Sequence, residues 1–332
     1  MDRPSKVLIT GGHEAGGLSA FAEALSEGFR QIGIPSEVIS PRDIWSRWRE
    51  LRSQAVLKIL STTAVFAAPF ARRTICVAHG FPYPDLQGWG KVFGFIGSYK
   101  LANAFEQVRF VSVSDYLAVH LKRVYNVRVD AVIRNPVLPV FEEAFDHTAQ
   151  TRNLITYVGR LVPSKGLDRL LPAIGDLVDE TPQLRAWVVG DGESRRALEN
   201  TLCCNPGIEF KGSLSPGEVR SCLRETRVFV SGNPVEPLGI AYLEALTQGC
   251  VVAMPACGGG LEIAPDLVGG QIQLLPISLR RHEVLSVLRR SLSVTARPRA
   301  LPNHNVKAVA SAYLRADARR IGSKCSGHEE TV

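Results

Sequence analysis

Short β-branched runs alternate with amphipathic helical stretches along nearly the whole chain, and the alternation begins twice. In the first half VLIT (7–10), SEVIS (36–40), TICVA (74–78), RFVSV (109–113) and VDAVI (129–133) read as strands. Helical patterns fill LSAFAEALSEGFRQIG (18–33) and SDYLAVHLKRVYN (114–126) between them. Strands separated by helices must pair in parallel, with the helices covering the sheet. The pattern then breaks at NPVLPVFEEAF (135–145), which carries two prolines and leads into polar DHTAQTRN. It restarts with LITYVG (154–159), LRAWVVG (184–190), GIEFKG (207–212), RVFVSG (227–232) and CVVAMP (250–255), each followed by a helical stretch such as GLDRLLPAIGDLVDE or GESRRALENTL. No short-period repeat is present. The expectation is two doubly wound α/β domains, 1–145 and 146–302. An amphipathic helix within 303–322 would pack back on the body, and 323–332 would be a frayed tail. Such folds take ligands beyond the carboxyl ends of their strands, so two of them are expected to face a cleft.

The bulk numbers agree with this and exclude some classes. A chain of 332 residues, 45% hydrophobic and 21% charged, can build a core in each half. The apolar run Val7-Leu8-Ile9 is too short for a signal peptide, and no stretch approaches the ~20 apolar residues needed to cross a bilayer. Seven scattered cysteines, without a secretory signal, read as reduced thiols of a cytoplasmic protein. Cys203-Cys204 has no second pair at ligand spacing, so no zinc site is expected. The formal charge is +7, and it is uneven: residues 42–134 hold 14 basic against 6 acidic residues. That surplus suits nucleic acid, an anionic substrate or an acidic membrane surface without choosing among them.

Two segments carry candidate chemistry. After the first strand comes TGGHEAGGLSAF, with Gly11-Gly12 and Gly16-Gly17 before a helix. Glycines there let backbone N–H groups approach a phosphate. The dinucleotide pattern G-x-G-x-x-G is absent, the second strand ends Ile39-Ser40-Pro41 with no acid for a ribose, and no phosphate-loop GxxxxGK[ST] occurs. A Gly-rich turn at the start of any α/β domain remains an equal reading. The second domain opens with YVGRLVPSKGLDRLL, where Arg160 and Lys165 flank a strand-to-helix loop. Further on, EPLGIAYLEAL (236–246) supplies a helix N-terminus worth about half a positive charge. Two cations and that dipole amount to about +2.5, against roughly −2 for a diphosphate, so a leaving diphosphate would need no metal ion.

With these segments in view, the second half resembles glycosyltransferase family 4 (the glycosyl transferases group 1), whose members have two Rossmann-like domains in the GT-B fold. The matching motifs are GRLVPSKG (159–166), VVGDGESRRALE (188–199), IEFKGSLSPGEV (208–219), EPLGIAYLEALTQG (236–249) and CGGGLEI (257–263). Glu236 and Glu244 match that family's E-x7-E element. The first half matches more loosely, through the Gly16-Gly17 loop, VAHG (77–80), VSVSDYL (111–117) and VIRNPV (132–137).

The resemblance implies a nucleotide-sugar donor, no cofactor and no metal. It assigns Arg160 and Lys165 to the diphosphate, Glu244 to the ribose hydroxyls and Glu236 to the donor sugar. A helical side chain leans towards the helix N-terminus, so Glu244 can reach a group near the phosphates. Gly239 would leave the helix entry open to the ligand; Leu238 and Ile240 beside it are assigned to donor binding with it, and so are Gly16 and Gly17 of the first domain. His79 matches a histidine near the donor sugar, although a lone histidine after a strand is as readily structural. The family transfers with retention, and stabilising the departing diphosphate is worth ~3–4 kcal/mol per good donor. The sequence departs from the pattern at Gly232-Asn233-Pro234-Val235, where Pro-Ser is usual, at Leu238, where an aromatic is usual, and at Val251, where proline is common.

The acceptor is read from charge. IWSRWRELRSQAVLKIL (44–60) combines Trp45, Trp48, Leu51 and Leu57 with Arg47, Arg49, Arg52 and Lys58; WGKVFGFIGSYKLANAF (89–105) mixes aromatics with Lys91 and Lys100. These are read as basic amphipathic helices. A solvated basic face is the commoner explanation, and peripheral contact with an anionic membrane the other, each cation contributing ~1 kcal/mol there. The expected function is sugar transfer to a glycan or lipid-linked acceptor in cell-envelope polysaccharide synthesis, lipopolysaccharide included. The alternatives are a sugar-nucleotide epimerase or a non-catalytic glycan-binding relative on the same fold. A glycoside hydrolase would have no use for Arg160 and Lys165, and no stacking-aromatic module supports nucleic acid.

Overall fold

A computed structural model describes residues 3–11, 17–81, 89–142, 153–201, 205–256 and 258–322. Gly12, Gly16, Cys203, Cys204, Cys257, the expected boundary at 145/146 and the tail from 323 lie outside these residues, as does the Lys91 side chain. The chain divides into two compact units, residues 1–138 together with 302–332, and residues 139–301.

The first unit is built on six parallel strands, β1 (Lys6–Thr10), β2 (Ser36–Ile39), β3 (Val56–Ser61), β4 (Thr74–Ala78), β5 (Val108–Ser112) and β6 (Ala131–Val132), in the order β2-β1-β3-β4-β5-β6. The order reverses at β1, and the carboxyl ends of β1 and β3 are where sheets of this kind place a ligand crevice. There the Ser61 N–H donates to Thr10 Oγ1 at 2.7 Å, and Ser61 Oγ donates to the Thr10 carbonyl at 3.0 Å.

Strand β3 takes up the last five residues, 56–60, of the stretch 44–60 expected to be a basic amphipathic helix. Its sequence VLKILS is buried at every position, as a central parallel strand covered on both faces must be. Lys58 is accommodated because Nζ donates to the carbonyls of Ser53 and Val56, each at 2.8 Å. The helical part of that stretch is confined to a 3-10 turn, Pro41–Arg47, and the single helical turn Trp48–Arg52. The expected helix of 89–105 is present as Trp89–Asn103.

The helix Val306–Gly322 belongs to this unit and lies on the helix Gly17–Gln31. The approach is close at Gly28, where a Cβ would stand 2.2 Å from the Val306 carbonyl oxygen. An Arg73–Asp317 ion pair at 2.8 Å, nearly buried, secures its far end.

The second unit holds β7 (Leu154–Val158), β8 (Arg185–Val189), β9 (Ile208–Gly212), β10 (Val228–Val230), β11 (Val251–Pro255) and β12 (Ile272–Leu275), all parallel in the order β12-β11-β10-β7-β8-β9. Counted from its own first strand this is 3-2-1-4-5-6, reversing between β7 and β10. The short strand β12 was not foreseen: IQLL offers four residues and no alternation. Helix Leu167–Glu180 supplies Leu167, Leu170, Leu171, Ile174, Leu177 and Val178 to one core with Ile155, Val188, Val230 and Leu288. Replacing one of these leucines by alanine would cost about 2–5 kcal/mol.

Candidate functional site in the second unit

The reversal between β7 and β10 sets the loops that follow these strands side by side. The β7 loop runs Gly159-Arg160-Leu161-Val162, makes a 3-10 turn at Pro163–Lys165 and closes on Gly166, whose φ is +64°. A Cβ on Gly166 would fall 2.4 Å from the Gly232 carbonyl oxygen, and one on Gly232 would fall 2.5 Å from that of Gly166. The two backbones touch where no side chain fits. That contact carries Lys165 to the β10 loop, where Nζ lies 2.8 Å from Glu236 Oε2. Asn233 Nδ2 donates to the same oxygen at 2.7 Å, while Asn233 Oδ1 accepts the Val235 N–H at 3.2 Å. The loop after β11 completes the cluster, the Gly259 N–H donating to the Glu236 carbonyl at 2.9 Å.

Arg160 is exposed, and its guanidinium has no ion-pair partner among the described residues. Its carbonyl accepts the Tyr157 hydroxyl at 2.9 Å. Burial holds the Tyr157 phenol well above its usual range; the Glu236 charge adds to that and the Arg160 charge opposes it, so both charges are felt at one hydroxyl.

Lys165 is therefore not a free cation. With Glu236 against it, the expected charge of about +2.5 falls to about +1.5, made by Arg160 and the helix dipole. A bound diphosphate would have to share Lys165 with Glu236 or take it over.

The helix Ile240–Thr247 starts at Gly239, whose φ is +90°, and no side chain among the described residues caps it. The Tyr242 N–H donates to the Gly239 carbonyl at 3.0 Å, whereas those of Ile240 and Ala241 have no acceptor among the described residues and are available to a ligand. The space beside Gly239 is taken: a Cβ there would meet the Tyr242 ring at 2.5 Å. Close packing over Tyr242 thus requires glycine independently of any ligand. Tyr242 is fixed in turn by its hydroxyl donating to Ser231 Oγ at 2.8 Å. Leu238 is 1% exposed, so its side chain belongs to the interior; Ile240 is half-buried. Glu244 is buried, and its carboxyl has no hydrogen-bond partner among the described residues. Burial pushes its pKa up to about 7. An unpartnered buried carboxyl is costly, and a ligand hydroxyl donating to it would relieve the cost.

The remaining candidates lie in the first unit. Gly17 is exposed at the start of its helix; Gly16 is outside the described residues. His79 follows β4 and packs edge-on against Phe21, with ring centroids 4.3 Å apart. Its Nε2 is buried without a hydrogen-bond partner among the described residues, and burial lowers its pKa to about 3, so the ring is neutral near pH 7. Asn233 and the Gly166–Gly232 contact were not singled out from sequence. Asn233 stands where the sequence leaves the family pattern, and an asparagine two residues before a loop N–H is a recognisable turn former. Among the described residues no three His, Cys, Asp or Glu side chains gather as a metal site, and no helix is long and apolar enough to cross a membrane.

Two six-stranded parallel α/β units of this kind constitute the GT-B fold. HepE of Anabaena, solved with UDP and glucose, superposes on 98% of this chain and 100% of its own with a TM-score of 0.69 at 14% identity. At the level of sequence, residues 140–272 match the family model of glycosyl transferases group 1, a span that includes the loops after β7, β10 and β11. Similar proteins include sulfoquinovosyl transferase SQD2 of Arabidopsis thaliana, 28% identical over 151 residues, which are 45% of this chain and 29% of that protein. A GDP-mannose-dependent monoacylated alpha-(1-6)-phosphatidylinositol monomannoside mannosyltransferase of Corynebacterium glutamicum is 25% identical over 254 residues, 70% of this chain and 64% of that one. The chain spans less than two thirds of the length of either relative.

Proposed function

We propose that this protein is a retaining glycosyltransferase of family 4 that moves a hexosyl group from a nucleotide-sugar to a glycan or lipid-linked acceptor. The observation that carries the reading is the cluster of Lys165, Glu236 and Arg160 at the strand-order reversal of the second sheet. In support, group 1 glycosyltransferases match this segment, and the related mannosyltransferase is named for a GDP-mannose donor and a phosphatidylinositol-type acceptor.

In this reading the donor diphosphate docks at Arg160, Lys165 and the open N–H groups at Ile240. Glu244 receives the ribose hydroxyls and Glu236 faces the sugar. As the bond from the anomeric carbon to the diphosphate oxygen breaks, positive charge grows on the sugar and negative charge on the leaving group. Arg160 and Lys165 stabilise the latter, and each such preorganised contact is worth about 3–4 kcal/mol. The acceptor hydroxyl oxygen bonds to the anomeric carbon on the face just vacated, its proton passing to the departing phosphate, and configuration is retained. Neutral His79 is suited to hydrogen-bonding a sugar hydroxyl rather than to supplying charge. The proposed setting is the cytoplasmic side of a membrane bearing envelope-polysaccharide intermediates.

A thermal-shift screen of nucleotide-sugars tests the donor assignment, because a ligand at one hundred times its Kd stabilises by about 2.7 kcal/mol. Incubation of the stabilising donor with glycan and glycolipid acceptors should release nucleoside diphosphate only when acceptor is present. Release of nothing, or conversion of the donor to an isomer without acceptor, would overturn the proposal.

A further inference from the structure

The first unit exposes an aromatic cluster that the proposed chemistry does not use. Trp45 is 49% exposed, Trp48 45% and Phe70 50%; Phe66, 40% exposed, stands on the same 3-10 segment as Phe70, Thr62–Phe70. The indoles of Trp45 and Trp48 stack with centroids 6.4 Å apart and a 25° tilt, and Trp45 meets the Phe70 ring at 5.9 Å. The cause lies in the local fold. Ile44 and Leu51 of the turns Pro41–Arg47 and Trp48–Arg52 are buried, which anchors the turns and leaves both tryptophans outside.

The charges around the cluster are sorted as sharply. Glu37 and Glu50 are consumed by Lys6, at 2.6 and 2.8 Å, and both also pair with Arg47. Arg42, Arg49, Arg52 and Arg72 are exposed and have no ion-pair partner among the described residues; Asp43 is the acid left beside them. Arg52 lies over the Trp48 ring, 5.7 Å from its centroid, and the Arg72 N–H donates to the Leu51 carbonyl, which places Arg72 next to the same turn.

We propose that this face docks on the surface of an anionic lipid bilayer, with Trp45, Trp48 and Phe70 in the headgroup–acyl boundary and the four arginines on lipid phosphates. Indoles favour that boundary because a large apolar ring and an N–H must both be accommodated. Guanidinium groups match phosphate in geometry and are more weakly hydrated than ammonium. A second copy of the chain is the poorer occupant, since a two-fold contact would press the arginine set against itself. A single-stranded nucleic acid needs free ring faces, whereas Trp48 is already engaged by Trp45 and Arg52. The proposal is independent of the transfer reaction, because docking requires neither donor nor acceptor.

The test is co-sedimentation of the full chain with vesicles of phosphatidylglycerol and phosphatidylcholine, or of phosphatidylcholine alone, at low and high salt. The expected result is binding to the anionic vesicles at low salt only, with quenching of tryptophan emission by brominated lipid. Each arginine near the surface contributes about fivefold. The Arg42→Gln, Arg49→Gln, Arg52→Gln, Arg72→Gln variant should therefore bind on the order of several hundredfold less. A Trp45→Ser, Trp48→Ser variant should lose the quenching. All these side chains are exposed, and an unchanged thermal transition verifies the fold. Absence of binding to anionic vesicles at low salt overturns the proposal. So does equal binding by wild type and both variants, equal binding to neutral vesicles, or concentration-dependent self-association that the tryptophan variant abolishes.

Discussion

Lys165 and Asn233 converge on a single carboxylate oxygen, Oε2 of Glu236, at 2.8 and 2.7 Å. The acid proposed to face the sugar is therefore held by one of the cations proposed to face the diphosphate. Its negative charge also lies beside the place where diphosphate charge would accumulate. This leads to an asymmetric prediction for Glu236→Gln. The amide keeps the shape but removes the repulsion, so nucleoside diphosphate should bind about tenfold tighter, in line with one unit charge removed at short range. Turnover should fall, because Lys165 is no longer positioned by a charged partner. Calorimetric titration of the nucleoside diphosphate alongside initial rates checks both; unchanged diphosphate affinity would show that the carboxylate lies away from the phosphates.

Arg160 and Lys165 should be separable. Arg160→Ala and Lys165→Ala are each expected to lower kcat by about 10²–10³, the usual loss for one preorganised contact to developing charge. Only Lys165→Ala should also lower stability, by about 1 kcal/mol, since it strips a half-buried Glu236 of its cation. Arg160 is exposed and has no ion pair among the described residues to lose. Paired kinetic and thermal measurements distinguish the two; near-wild-type kinetics in both would contradict the diphosphate assignment.

The sequence showed the α/β alternation and most strands because their β-branched runs are bounded by turn residues. It hid β3 because Lys58 sits in its middle: a lysine among apolar residues reads as the charged face of a helix. Only the folded chain supplies the carbonyls of Ser53 and Val56 that bury its ammonium. Similarly, Lys165 and Glu236 were both visible as candidates, but their pairing across 71 positions was not. It depends on Gly166 meeting Gly232 backbone to backbone, a long-range contact with no local signature. Gly239 carried the opposite lesson. Its glycine suggested an opening for ligand, yet the Tyr242 ring fills the space a Cβ would need.

That backbone contact should be intolerant of substitution. Gly232→Ala places a methyl 2.5 Å from the Gly166 carbonyl oxygen, and Gly166→Ala adds a left-handed φ of +64° to a 2.4 Å contact. Both are expected to destabilise the fold by about 2–4 kcal/mol, Gly166→Ala the more. Because relief must come from parting the two loops, both should also weaken nucleotide binding. Gly217→Ala is the control, since a Cβ there meets nothing within 4 Å. Chemical denaturation of the three variants orders them; equal stability of all three would mean that the loops are not pinned.

Glu244 makes the pH dependence predictable. Its pKa is raised by burial from 4.5 to about 7. Between these values the unfolded chain has released a proton that the native state keeps, so the unfolded state binds fewer protons and stability falls as pH rises. The loss is about 1.4 kcal/mol per pH unit, reaches about 3 kcal/mol and stops growing above about pH 7. Glu244→Gln removes the titration. The variant should therefore match wild type in melting temperature near pH 4.5 and exceed it near pH 8. Binding should move the other way. If ribose hydroxyls donate to the ionised carboxylate, nucleotide affinity for wild type rises through pH 7 while that of the variant stays low and flat. Parallel stability curves for the two proteins would place Glu244 in a more polar setting than its burial indicates. A nucleotide affinity independent of pH in both would remove it from the ribose.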